Sequence, residues 1–141
     1  MLMHASCAAK DGLGVLLTGA PGSGKSDLLL RLLDRGFSLV ADDQVDIGTD
    51  GMARPPDALA GLLEVWGLGL MRFPFVSAVR PVLVAQLVSG SVPRLPLPSR
   101  DSVLDLPSIA VDPRPASAAQ VLNLAFDSVT GRAVQHVGAF A

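Results

Sequence analysis

Apolar residues in this chain come in short runs cut by glycine, proline and aspartate, and the runs differ in period. Gly14-Val15-Leu16-Leu17-Thr18 is unbroken and ends in a turn, as a buried strand does. The segment up to Thr18 reads as one or two strands turning at Lys10-Asp11-Gly12. Leu28, Leu29, Leu32 and Leu33 then recur at helical spacing, with Arg31, Asp34 and Arg35 facing elsewhere and Gly36 placed to end the helix. Phe37-Ser38-Leu39-Val40-Ala41 is a second apolar run, stopped by Asp42-Asp43. Asp50-Gly51 predicts a hairpin between residues 44–47 and a short strand near Met52-Ala53, and Pro55-Pro56 then breaks regular structure.

Residues 62–70 predict a strand with a glycine-permitted bend, and residues 82–88 another strand. Residues 92–98, with Pro93, Pro96 and Pro98, form an extended connector or an edge. Residues 112–115 are extended for the same reason. Ala118, Val121, Leu122, Ala125, Phe126 and Val129 make one helical face, with Ser117 and Gln120 in a capping-box pattern and Gly131 at the end. Residues 132–141 predict no element. The pattern is α/β, within one domain spanning 1–141.

Composition narrows the classes. Eleven basic against 13 acidic residues leave no polycationic surface, so no nucleic-acid partner is indicated. No apolar stretch reaches the roughly 18 residues of a membrane span; residues 58–76 are interrupted by Glu64, Arg72 and Pro74. The first nine residues lack the basic and apolar regions of a secretory signal. A single cysteine, Cys7, rules out an internal disulfide framework and reads as a small buried apolar residue. A cytoplasmic protein is expected. Half the residues are apolar, which suggests surface covered by other subunits.

Chemistry enters at Gly19-Ala20-Pro21-Gly22-Ser23-Gly24-Lys25-Ser26, a full G-x-x-x-x-G-K-[ST] match between a strand and a helix. Gly19, Gly22 and Gly24 let backbone N–H groups close on phosphate oxygens. Lys25 reaches the β- and γ-phosphates as a mobile charge, and the Ser26 hydroxyl can ligate Mg²⁺. The helix N-terminus favours the anion. Asp42-Asp43 ends the next strand, which places the pair at the carboxyl edge of the sheet beside those phosphates. One carboxylate can hold Mg²⁺ or its waters, and the other can take a proton from a substrate hydroxyl. Adjacent residues point to opposite faces, so the two are expected to differ in role. Glu64 lies in an apolar stretch, so it either emerges to solvent or faces a cation; a metal-linked role is favoured.

These blocks resemble the catalytic domain of HPr kinase/phosphorylase. His4 stands ahead of the first strand as a family histidine does, and the glycine loop comes after it. Arg35-Gly36-Phe37-Ser38-Leu39-Val40-Ala41-Asp42-Asp43-Gln44-Val45 resembles R-G-h-x-L-(V/I)-A-D-D-x-V, and Leu62-Leu63-Glu64-Val65-Trp66-Gly67-Leu68-Gly69-Leu70 resembles L-L-E-(I/V)-R-G-(L/V)-G-(I/L). Order and spacing agree over residues 4–70; beyond them Pro113-Arg114-Pro115-Ala116-Ser117 is a degenerate V-R-P-G-R.

The resemblance implies a P-loop kinase core related to phosphoenolpyruvate carboxykinase, with a mixed sheet and flanking helices. It also implies a hexamer, and a compact form without the family's N-terminal domain. ATP and Mg²⁺ are the implied cofactors and HPr the implied partner. In this picture Asp43 exchanges the substrate serine's proton, Lys25 binds phosphates, Ser26 and Glu64 hold Mg²⁺, Asp42 supports the metal, and His4 stands by the phosphate site. Arg100 is the candidate for a remaining catalytic arginine. Trp66 replaces the signature arginine and Ser117 the second C-terminal arginine, which singles out the phosphorolytic half of the activity. Two other functions are weighed against the HPr kinase. A small-metabolite P-loop kinase lacks an arginine-rich lid here, and a nucleotide-sensing module without turnover is the non-enzymatic alternative.

Overall fold

The computed structural model describes residues 1–141. The leading apolar segment forms β1 (Leu2–Met3), β2 (Ala5–Lys10) and β3 (Leu13–Thr18), with the β2–β3 hairpin turning at Asp11-Gly12 as the sequence predicts. The glycine loop leads into α1 (Lys25–Leu33), followed by β4 (Ser38–Ala41) and the hairpin of β5 (Val45–Ile47) and β6 (Ala53–Arg54). Residues 62–70 depart from the single bent strand expected of them. They divide between β7 (Leu62–Val65) and β8 (Gly69–Arg72), which pair antiparallel across Trp66-Gly67-Leu68. Gly67 takes φ 81°, so the glycines close a hairpin turn instead of bending one strand.

The chain then runs through β9 (Arg80–Leu87), β10 (Ser99–Asp101), β11 (Leu106–Val111) and α2 (Ala118–Val129). The sequence pattern does not predict β10 or β11. β10 is polar and at the sheet edge, and β11 carries Pro107, so neither shows a clean strand pattern. Ser117 is the N-cap of α2 but its hydroxyl makes no capping bond, which corrects the expected capping box. Ser117 takes φ −84° and ψ 1°, outside the β region of a capping residue, and with Ala118 and Ala119 buried, packing sets the start of this helix.

Six strands form one mixed sheet in the order β10-β11-β9-β3-β2-β4, with β3, β9 and β11 parallel and the other pairings antiparallel. Both helices pack on one face, where Leu28, Leu29, Leu32, Leu122 and Phe126 meet Val15, Leu17, Leu83 and Ala85. Burial of one such leucine contributes about 1.5–3 kcal/mol. A small antiparallel sheet, β1-β5-β6, covers the other face over Leu16, Val40 and Val84. The central strands are thus covered on both sides, which is why they read as unbroken apolar runs. None of the helices is long and apolar enough to cross a membrane.

Cys7 is fully buried in the second face, and loss of solvent pushes its thiol up to about 12 from an ordinary 9.0. Native protein is expected to resist iodoacetamide at about pH 8 and to be alkylated at this residue once unfolded, as read by mass spectrometry. The folded state holds the Cys7 proton that the unfolded chain releases above 9.0, so this contribution to stability is complete below that pH and is lost as pH rises towards 12.

Candidate functional site

Sheet topology brings the site together. β2 pairs antiparallel with both β3 and β4, so β3 and β4 point the same way. Their carboxyl ends share one edge, with the start of β2 between them. The glycine loop leaves β3, Asp42-Asp43 leaves β4, and His4 and Ser6 come from the head of β2.

In the loop, Gly19 has φ 152°, and a Cβ there would stand 2.7 Å from Ser23 Oγ and 3.1 Å from the Leu87 carbonyl. Gly24 is the N-cap of α1 at φ 101° and has no side chain to offer the first turn. The N–H groups of Gly24, Lys25 and Ser26 consequently find no backbone acceptor, and Ser23 Oγ is buried without a partner. Donors left open at a helix N-terminus suit an anion of phosphate type. Lys25 is only 7% exposed, and its ammonium donates to the carbonyls of Gly19 (2.9 Å) and Ala20 (3.1 Å). Its charge is therefore held against the loop rather than in solvent.

The two aspartates do separate, but both lie beyond the end of β4 at Ala41, where strand alternation no longer applies. Asp42 is 8% exposed; its Oδ1 accepts the hydroxyls of Ser26 (2.8 Å) and Ser6 (2.9 Å), and its Oδ2 accepts the Glu64 N–H at 3.4 Å. Because Ser26 spends its proton on Asp42, its lone pairs are free to face a cation. Asp43 lies outside the strand at φ 68°, in the left-handed region that aspartate tolerates. Its N–H donates to Ser6 Oγ at 3.2 Å, and its carboxylate is exposed. His4 Nδ1 is 2.9 Å from the Asp43 carbonyl, which can only accept, so this nitrogen carries the proton. The same nitrogen is 3.6 Å from the Asp43 carboxylate.

Lys25, Ser26, Asp43 and Glu64 line one cavity of about 280 Å³ with Pro21, Gly22, Gly24, Asp27 and Trp66. Glu64 is exposed on β7, whose neighbours Leu63 and Val65 pack towards the helical core. No three His, Cys, Asp or Glu side chains converge to cage a metal. One or two carboxylates and a serine hydroxyl are instead the donor set of Mg²⁺, which fills its remaining positions with phosphate oxygens and water.

A second cleft flanks the loop on its other side, lined by Gly22, Ser23, Gly24, Asp27, Arg31, Pro113 and Arg114. Arg31 donates to the Pro113 carbonyl at 2.7 Å and clamps that segment over α1. Arg114 is paired with Asp112, whose carboxyl its hydrogen bonds hold below the usual range. Arg100 does not join either group. It sits on β10, paired with Asp105 at 2.9 Å, and lines a separate cavity with Thr18, Gln86 and Ser108.

Ser6 is a site residue that no sequence motif singles out. Its one signal is a lone polar position among Ala5, Cys7, Ala8 and Ala9, which on a buried strand demands a partner. Ser6→Ala is expected to lower stability by about 1–3 kcal/mol, because the Asp43 N–H loses its acceptor and the buried Asp42 carboxylate loses one of its donors. Chemical denaturation of the two proteins measures it.

The model of the HPr serine kinase C-terminal domain matches residues 1–83. The chain is 48% identical over 111 residues to the HPr kinase/phosphorylases of Burkholderia cenocepacia and Paraburkholderia phymatum, an alignment covering 68% of this chain and 34% of each relative. It thus spans about a third of the length of the curated relatives it matches. Among solved structures it is similar to the HPr(Ser) kinase/phosphatase from Coxiella burnetii, with TM-score 0.74 and 26% identity over 93% of this chain and 88% of that one. That likeness extends the correspondence well past residue 83, into the part of the chain where sequence motifs thin.

Proposed function

The chain belongs to the HPr serine kinase C-terminal domain family, and on that premise we propose that it is an ATP-dependent kinase acting on a serine of HPr. The observation that carries this reading is the division of labour between neighbouring carboxylates. Asp42 is buried and saturated with donors, while Asp43 is turned out into the cavity of Lys25 and Ser26. A nucleotide-binding module needs the first carboxylate; only phosphoryl transfer needs the second.

Bound ATP·Mg²⁺ would supply the phosphoryl group and neutralise part of its charge. The N–H groups of Gly24, Lys25 and Ser26 and the Lys25 ammonium would bind the phosphates of ATP. Ser26, with Glu64 across the cavity, would hold Mg²⁺, and Asp42 would orient the Ser26 hydroxyl by accepting its hydrogen bond. Asp43 Oδ would accept the proton of the HPr serine as its oxygen attacks, with His4 Nδ1–H and Ser6 Oγ fixing the peptide that carries Asp43. Ala20, Pro21, Gly22 and Ser23 complete the loop around the phosphates. Arg100, held by Asp105 beside a different cavity, has no part in this geometry.

A cytoplasmic homo-oligomer is the form in which such a domain is expected to work. The exposed Val121 and Leu124 of α2 and the exposed Val134 and Val137 beyond it offer apolar surface for subunit contact. Incubation with HPr, γ-labelled ATP and Mg²⁺ tests the reading, with phosphoserine on HPr as the expected result. ATP binding without label on HPr would favour the nucleotide-sensing alternative. In the reverse direction, phosphate and phosphoserine-HPr are expected to react much more slowly, because Trp66 and Ser117 bring no positive charge to the incoming phosphate.

A further inference from the structure

The chain's one tryptophan, Trp66, is 94% exposed at the tip of the β7–β8 hairpin. An indole left in water forgoes a large burial energy, and no part of this fold takes it up. Its position is nonetheless well determined. Leu68 N–H donates to the Val65 carbonyl at 3.0 Å and Gly67 supplies the left-handed turn residue, which sets Trp66 at the outer corner. Leu63, buried on the helical core, and the Glu64 N–H on Asp42 secure the base of the hairpin. The hairpin thereby places Trp66 on the rim of the cavity that contains Lys25, Ser26, Asp43 and Glu64. Leu68 and Leu70, both exposed, extend the apolar surface outward from it.

The two flanks of the glycine loop decide what can touch this surface. The flank at Arg31, Pro113 and Arg114 carries no aromatic side chain, and the one carboxylate that lines it, Asp27, is paired with Arg31 at 3.1 Å. Trp66 shares its flank with Asp43, the carboxylate turned out to meet an acceptor hydroxyl. A protein that places a hydroxyl at Asp43 from this cavity while phosphates occupy the loop approaches over the rim that carries Trp66. We propose that Trp66, continued by Leu68 and Leu70, is the apolar docking contact for the protein acceptor and determines its affinity. The acceptor's identity as HPr rests on the kinase reading. A single aromatic anchor beside a polar site is the usual form of an interface hot spot, and a rigid exposed indole loses little entropy on docking.

Trp66→Ala is expected to raise KM for HPr by about 10- to 30-fold. The same variant should leave kcat, ATP affinity and the melting temperature within about twofold or a degree of the parent, as for an exposed position. Trp66→Phe should recover most of the loss. Because Trp66 is the sole indole, its emission reports the contact directly: HPr should shift it to the blue, and ATP·Mg²⁺ alone should not. Weakened ATP binding in Trp66→Ala with KM for HPr unchanged would overturn the proposal in favour of a nucleobase platform. Unshifted emission at saturating HPr would overturn it as well. The kinase reading fails separately: a blue shift with no phosphoserine leaves the docking contact standing, and labelled HPr with an unchanged KM in Trp66→Ala leaves only the kinase.

Discussion

Asp43→Asn is expected to slow phosphoryl transfer to HPr by about 10²- to 10⁴-fold while ATP affinity changes by no more than a few-fold. The substitution is nearly isosteric, and asparagine, like aspartate, accepts the left-handed backbone at φ 68°. The contacts that hold the residue run through its backbone: its N–H to Ser6 Oγ and its carbonyl to His4 Nδ1. Both survive the exchange, so only the capacity of one side chain to take a proton is removed. Single-turnover kinetics with γ-labelled ATP, beside a direct measurement of ATP binding, separates the two effects. A rate within tenfold of the parent would remove Asp43 from the role of proton acceptor. The neighbouring exchange, Asp42→Asn, should behave differently. It leaves the hydroxyls of Ser6 and Ser26 and the Glu64 N–H competing for one acceptor oxygen in a buried place, and so lowers stability and ATP binding together.

The second large effect lies far from the motifs. Phe126→Ala is expected to cost about 3–5 kcal/mol, a large part of the stability of a domain this size. Phe126 is 1% exposed on α2 and meets Phe37 edge to face, with ring centres 5.1 Å apart at 71°. Lys10 Nζ lies 4.9 Å from the Phe37 ring centre and pairs with Asp127 at 2.9 Å, so one cluster joins β2, the start of β4 and α2. Phe37 immediately precedes the strand that ends in Asp42-Asp43, and a cavity under it loosens the site as well as the core. Urea denaturation should show a lower midpoint at an unchanged slope. The exposed Gln120 on the same helix provides the comparison, since its replacement by alanine should change stability by no more than about 0.5 kcal/mol. A loss below about 1 kcal/mol for Phe126 would mean that α2 is not docked as described.

The elements that the sequence disclosed best were those whose signals are local. The strand, glycine loop and helix of residues 14–33 depend on neighbouring residues alone, and Asp50-Gly51 closes its hairpin by turn chemistry. Positions that the pattern misplaces need a distant partner. β11 pairs parallel with β9, and β10 is held only by β11, so their strand character depends on residues 84–87 and not on their own pattern. At Ser117 the capping pattern is present, but packing of Ala118 and Ala119 sets the helix start without it. Arg100 stands out in the sequence by its charge alone, and its fold position pairs it with Asp105.

By itself, then, the sequence disclosed the glycine loop, the acids that accompany it, and the family the chain resembles, because such a loop depends on backbone conformation that glycines specify locally. The tertiary structure decided how differently those acids are placed. Antiparallel pairing through β2 puts Ser6 and His4 between the ends of β3 and β4, burying Asp42 among hydroxyls while Asp43 is exposed. It also placed Trp66, which the sequence offered only as a missing arginine, on the open rim of the cavity at the glycine loop. Burial, hydrogen-bond partners and exposure at these positions are set by strands far apart in the chain, and no local pattern encodes them.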